Sequence, residues 1–242
     1  MTPQAGSNAA LACLERDLAR DLEYLCRPAA NWVPPRQVGG EKVYDIIIIG
    51  GGMCGMVAWF ALQCEGMLQT RIFDRNPAGL EGPWLNYARM QTLRSPKQLV
   101  GPAYGMSSLT FRAWFTAQFG DSAWELLDKI PRPMWMEYLR WYRKALSVPI
   151  ENEVIVDGIA AEGELLRLHL SGKGASETSI LARKVVMATG RDGTGHPSIP
   201  RFVQGLDRSL WAHSSDDIDF ARLRGKRVVV VGVGASAVDN SA

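Results

Sequence analysis

The feature that most constrains this chain is a β-branched run that breaks directly into glycines. Tyr44-Asp45-Ile46-Ile47-Ile48-Ile49 leads without interruption into Gly50-Gly51-Gly52-Met53-Cys54-Gly55. A run of this kind suits a strand buried on both faces of a parallel sheet. Met53 to Cys64 is helical in character, and Gln69 to Asp74 reads as a second strand ending in an acid. Strand, G-x-G-x-x-G, helix and acid-tipped strand together predict a β-α-β unit that holds a dinucleotide. In that reading Gly50 makes the tight turn, Gly52 lets backbone N–H groups approach a pyrophosphate, and Gly55 lets the helix pack close to the strand. Met53 and Cys54 open the helix, whose N-terminus carries the partial positive charge an anion needs. Asp74 would accept hydrogen bonds from ribose hydroxyls, and its charge repels a 2′-phosphate, so this unit is expected to take FAD or NAD. The bland alternative is a glycine-rich turn in an unrelated α/β domain.

The design recurs. Arg227 to Val231 reads as a strand, and Gly232-Val233-Gly234-Ala235-Ser236-Ala237 follows as G-x-G-x-x-A. Alanine serves at the third position because only close helix packing is at stake there. One β-α-β unit has no use for two phosphate loops, so two dinucleotides are implied. The strand that would choose NAD or NADP is not in the sequence, and this second domain is expected to be incomplete. Met187-Ala188-Thr189-Gly190 ends a further strand, where small residues suit the crevice in which ligands lie in open α/β sheets.

Between these units the pattern is readable in coarse form. Leu11, Leu14, Leu18, Leu22 and Leu25 share one face of a helix predicted over residues 8–27. Pro28, Pro34-Pro35 and Gly39-Gly40 then read as a linker. Residues 77–109 read as a long functional loop with short helices. Residues 110–146 predict two or three helices whose aromatic stripe is assigned to core. Residues 153–188 read as a β-meander, and 191–224 as an irregular connection. The expected division is 1–40 N-terminal helix and linker, 41–200 FAD-binding domain, and 201–242 linker and start of an NAD(P)-binding domain. The fold class is α/β, a Rossmann-like flavoprotein with two dinucleotide-binding domains and a β-meander.

Composition excludes more than it proposes. Hydrophobic residues make up 47% and charged residues 21%, which fits a globular core and not disorder. A net charge of +2 gives no argument for nucleic acid. No run is long enough to span a membrane, and no signal peptide is expected. Cys13, Cys26, Cys54 and Cys64 form no C-x-x-C pair, which argues against a disulfide framework, against thiol–disulfide chemistry and for the cytoplasm. No zinc spacing is present, so no metal is expected. Gly234-Ala235-Ser236-Ala237-Val238 lacks the last glycine of a hydrolase elbow.

These residues together resemble the class B flavin monooxygenase-like branch of the FAD/NAD(P)-dependent flavoproteins, which includes flavin-containing, Baeyer–Villiger and N-hydroxylating monooxygenases. The likeness rests on Gly50–Gly55, Asp74-Arg75, Ala188-Thr189-Gly190 and Gly232–Ala237, and the chain looks truncated beside that pattern. Glu81-Gly82-Pro83-Trp84 is similar to the G-G-x-W stretch that lies against the flavin, with Glu81 in place of the first glycine. Phe202-Val203-Gln204-Gly205 followed by His213 is similar to the F-x-G-x-x-x-H linker, with the histidine displaced. The resemblance implies FAD and NADP (or NAD) as cofactors, and a small-molecule substrate and O2 as reactants. It implies hydride transfer to flavin and oxygenation through a flavin C4a-(hydro)peroxide. It places Gly82, Trp84, Arg89, Met90 and Thr92 near the flavin, and lets Arg94 and Lys97 meet phosphate. Arg94 and His213 are the only candidates for a catalytic side chain; His169 is expected at the surface and His196 in a structural role. The rival expectation is a catalytically inactive FAD-binding fragment, or a half that self-associates or needs a partner chain.

Overall fold

A computed structural model of the chain describes residues 2–190, 193, 195 and 197–241. Its elements are α1 (Ser7–Tyr24), β1 (Arg36–Val38), β2 (Glu41–Ile49), α2 (Met53–Cys64), β3 (Thr70–Asp74), α3 (Phe111–Phe119), α4 (Asp121–Leu126) and α5 (Arg132–Ala145). There follow β4 (Ile150–Asn152), β5 (Ile155–Glu162), β6 (Leu165–Ser171), β7 (Ser179–Met187), α6 (Arg201–Gln204) and α7 (Ala235–Ser241).

One mixed sheet organises the chain, in the order β4-β3-β2-β7-β6-β5, with β1 added against β2. β4, β3, β2 and β7 run parallel. β7, β6 and β5 form the antiparallel meander the sequence predicts. Ile47, Ile48 and Ile72 are fully buried, as a central parallel pair covered on both faces requires. The register is what builds the site. Ile49 lies opposite Phe73 on one side and Met187 on the other, and Asp74 lies opposite Asn152. Four strands therefore end along one edge, and the chain leaves them as Gly50, Arg75, Glu153 and Ala188.

The larger core packs α1, α2, α3 and α5 around an aromatic cluster of Phe111, Trp114, Phe115, Trp124, Trp135, Tyr138, Trp141 and Tyr142. These rings meet edge-on or tilted, with Tyr138 and Trp141 stacked, at centroid separations of 5.0–6.3 Å, geometries their quadrupoles favour. The assignment of this stripe to core stands. Tyr138 donates to the Leu109 carbonyl at 2.6 Å.

Three expectations are corrected. The Pro/Gly linker contains β1, paired antiparallel to β2 through Gly39-Gly40 at φ 58° and 84°. Positive φ at both central positions is what a two-residue type I′ hairpin needs. The first helix stops at Tyr24, so Leu25 lies beyond it and is exposed. Arg227–Val231 is not a strand: it is irregular, unpaired and exposed. A strand exists through hydrogen bonds to a neighbour, and among the described residues none runs beside it. Among the described residues, no helix is long and apolar enough to cross a membrane.

Candidate functional site

The edge where β2, β3 and β7 end opens into a cleft of about 730 Å³, within the range of small-molecule and cofactor sites. One wall is the first glycine loop. Gly50 takes φ 106°, and a Cβ there would lie 2.4 Å from the Ala188 carbonyl oxygen. A Cβ on Gly55 would lie 1.8 Å from the Gly50 oxygen. Both positions admit only glycine, and Gly55 acts behind the cleft, holding α2 against β2. Gly52 is the N-cap of α2 and no side chain caps it. Gly50, Gly52, Met53 and Cys54 line the cleft.

Asp74 lies at the floor, buried. Its Oδ2 accepts the Gly51 N–H at 2.7 Å and its Oδ1 the Asn76 N–H at 2.8 Å. It thus braces the glycine loop, while its remaining lone pairs stay available to hydroxyl donors. Arg75 lines the same floor. The opposite wall is the segment 82–90, including Gly82, Trp84, Arg89 and Met90. Ala188, Thr189 and Gly190 close the end beside β7.

The second glycine unit reaches this cleft only in part. Ser236 lines it, as do Asp239 and Asn240. Gly232, Gly234, Ala235 and Ala237 do not. Arg94 bonds Asp239 at 2.5 Å, tying the wall to α7. Arg89 donates to the Asn86 carbonyl at 2.9 Å and the Asp216 carbonyl at 3.3 Å, and lies over the Phe220 ring.

Three other expected residues lie elsewhere. Thr92 forms a β-bridge with Pro131 and is absent from the cleft wall. Lys97 donates to the Trp124 carbonyl at 2.6 Å and sits over that indole, turned from the cleft. His213 is engaged within its own turn: its Nδ1 meets Ser215 Oγ at 2.7 Å, and its N–H donates to Asp216 at 2.7 Å. Ser214 and Ser215 line the cleft in its place. Burial opposes ionisation of Asp216, but Arg208 and the His213 N–H outweigh it and hold this carboxyl below its ordinary value. His169 is exposed, as expected, and His196 lies outside the described residues.

No local pattern marks Asn76, Asn86 or the Val154–Ile159 stretch as site residues, yet all of them line the cleft. They arrive through strand register and loop packing, which leave no local pattern. The polar content of the cleft suits a ligand. Among the described residues, buried polar atoms without a partner include Arg89 Nε, Thr189 Oγ1 and Asn240 Oδ1, all on cleft-lining residues. Buried polar groups are normally satisfied, so partners of this kind are expected from a bound molecule or water. An uncapped helix start beside glycines, an acid at the next strand end and an aromatic wall fit the pyrophosphate, ribose and ring system of FAD.

Comparison with known proteins agrees with this geometry. Residues 42–240 match the family described as L-lysine 6-monooxygenase/L-ornithine 5-monooxygenase. The chain is 47% identical over 235 residues to the FAD-dependent urate hydroxylase of Xanthomonas campestris pv. campestris, covering 96% of this chain and 49% of that protein. The chain thus spans about half the length of the curated relative it matches. The ornithine hydroxylase of Pseudomonas aeruginosa shares the fold with a TM-score of 0.63 at 21% identity, over 82% of this chain and 50% of that one. So does the ornithine N-hydroxylase of Kutzneria sp. 744, in complex with reduced FAD, NADP+ and L-ornithine, with a TM-score of 0.58 at 20% identity, over 82% and 49%.

Proposed function

The chain belongs to the L-lysine 6-monooxygenase/L-ornithine 5-monooxygenase family, and from that premise we propose that it is the FAD-binding part of an NAD(P)H-using flavin hydroxylase. The observation that carries this reading is the single cleft shared by the Gly50–Gly55 loop, Asp74 and the Gly82–Met90 wall. When bound, FAD supplies the redox and oxygen-activating chemistry, and NADPH (or NADH) the hydride.

The chain's own residues bind and orient. Gly52, Met53 and Cys54 offer backbone N–H groups and a helix N-terminus to the pyrophosphate, while Gly50, whose N–H is donated to the Phe73 carbonyl at 2.7 Å, makes the turn that brings them there. Asp74 accepts from ribose hydroxyls, with Arg75 beside it. Gly82, Trp84 and Met90 form the ring-facing wall, and Thr189 offers its hydroxyl. Such a wall excludes water, which protects reactive oxygen chemistry. Ser236 and the loop Gly232–Ala237 start the site for the second dinucleotide. We divide the chain as 1–40, 41–200 (FAD-binding) and 201–242 (start of the NAD(P)-binding unit). The substrate class we put first is an oxidised purine, because the relative that acts on urate shares 47% identity while the ornithine hydroxylases share 20–21%. O2 is the co-substrate and the cytoplasm the expected compartment, on cysteine usage.

A second reading is favoured by the exposed Val228–Val233 run: an FAD-binding unit whose second site is completed by another chain. One experiment separates the two. The purified chain is loaded with FAD and its absorbance is followed after NADPH is added in air, with urate or L-ornithine present. Bleaching that recovers with O2 and consumes urate supports the hydroxylase. A flavin spectrum indifferent to NADPH supports the second reading. No FAD uptake at all sinks both.

A further inference from the structure

The cleft wall at Gly82–Trp84 is held from behind by one helix. α5 presents Arg132, Trp135, Arg140 and Arg143 to the segment 79–90, at spacings that keep them near one helix face. Arg132 donates to the Trp84 carbonyl and, at 3.0 Å, to the Met90 carbonyl. Trp135 meets the Trp84 ring edge-on at 6.1 Å. Arg140 donates twice to the Gly79 carbonyl, at 2.7 and 3.0 Å.

Arg143 acts through Glu81, and this is the buried member of the set. Glu81 is 4% exposed. Its Oε1 accepts from Arg143 at 2.6 Å, from Asn152 Nδ2 at 2.8 Å and from the Gly79 N–H at 3.1 Å. Asn152 also donates to the Asn76 carbonyl, and Arg143 to the Ile150 carbonyl. One carboxylate oxygen thus joins α5, the end of β4 and the loop after β3, immediately before Gly82. Gly82 takes φ 78°, and its backbone lies directly against the glycine loop: a Cβ on Gly52 would sit 3.5 Å from the Gly82 Cα. Removing one partner of a buried pair leaves the other charge uncompensated, so so costly an arrangement calls for a role.

We propose that Glu81, through its buried pair with Arg143 and its bond to Asn152, is a positioning residue that sets the distance between the Gly82–Trp84 wall and the glycine loop, and so sets FAD affinity. This rests on the reading of the cleft as the FAD site.

The test compares the wild-type chain with Glu81→Gln, which keeps an acceptor oxygen but loses the charge, and Asn152→Ala, which removes the bonds to Glu81 and to the Asn76 carbonyl while leaving the Arg143 pair intact. Ile180→Val, in the meander core, serves as a stability control. FAD dissociation constants, the visible circular dichroism of bound flavin and Tm without FAD are measured for each. The expected result is FAD binding weakened about tenfold or more in Glu81→Gln, with a weaker effect in Asn152→Ala. The flavin dichroism changes in both, while the control lowers Tm and leaves affinity and dichroism unchanged. Wild-type affinity and dichroism in both variants overturn the proposal while leaving the FAD site standing. Affinity losses that merely track Tm, as in the control, also overturn it. Absence of FAD binding by the wild type overturns it together with the site.

Discussion

At the scale of single residues, the glycine loop separates two functions that the motif alone merges. A Cβ on Gly52 would meet only ordinary contacts, the nearest being Gly82 Cα at 3.5 Å, and its φ suits any residue. Gly52→Ala is therefore expected to fold with Tm lowered by a few degrees at most, at a cost of about 1 kcal/mol or less for the N-cap. It loses FAD affinity because its methyl group occupies the cleft. Gly55→Ala has no room, and overpacking of this kind costs about 1–3 kcal/mol or more. It is expected to lose both Tm and FAD binding. Thermal melts of both variants with and without FAD read the difference, and equal melts would contradict it. Asp45 makes a second residue-scale case. Burial holds its carboxyl above the ordinary value of 3.8, against the opposing pull of Arg183 and Lys42, and Oδ2 has no partner. A raised native value means the folded chain holds this proton more tightly than the unfolded chain. The resulting stability is complete below 3.8 and is lost as pH rises from 3.8 through the native value. Asp45→Asn removes that slope. Urea midpoints across this acid range should converge or cross between wild type and variant, and parallel curves would refute the argument.

At the scale of elements, α5 shows what a buried hydroxyl is worth when its partner is known. Tyr138 and Tyr142 are both fully buried, and burial pushes both phenols well above their ordinary value, so they stay protonated. Tyr138 donates to Leu109, whereas Tyr142 has no partner. Tyr138→Phe orphans a carbonyl and should cost about 1–2 kcal/mol. Tyr142→Phe should be neutral or stabilising. Guanidinium unfolding of the two variants checks the order, and a reversed order would sink it. The same scale explains what the chain reveals before it folds. The Ile46–Ile49 run, the 53–64 helix, the meander and the aromatic stripe of 110–146 carry periods that local physics imposes, and all were legible. β1 hides among prolines, and β4 is three residues long; both exist because β2 and β3 offer them edges. The 227–231 run has every local sign of a strand and lacks the neighbour that would make it one. The site divides the same way. Its glycines and Asp74 announce themselves, while Glu81 with Arg143 and Arg94 with Asp239 are pairs far apart in sequence, made only by the fold.

At the scale of the whole molecule, the unpaired run is the feature that sets solution behaviour. Val229 is 85% exposed and Val233 103%, in an irregular segment whose backbone groups pair with no strand among the described residues. Exposed β-branched residues whose backbone groups are unpaired can pair with another chain as an unprotected strand edge does, and their apolar side chains add area that water disfavours. We therefore expect the chain to self-associate as its concentration rises. The run lies outside the walls of the cleft, apart from the Ser236–Asn240 stretch that follows it, so association and FAD binding should be separable. Val229→Lys with Val231→Lys places like charges on the edge, as natural edge strands do. Sedimentation velocity over a hundredfold concentration range should show association in the wild type and a single slower species in the double variant, with FAD titrations superimposing. If the wild type sediments as a monomer throughout, the exposed valines are harmless and the need for a covering chain falls away. If the double variant loses FAD as well, the run and the cleft are coupled through α7, and Arg94 with Asp239 becomes the link to test.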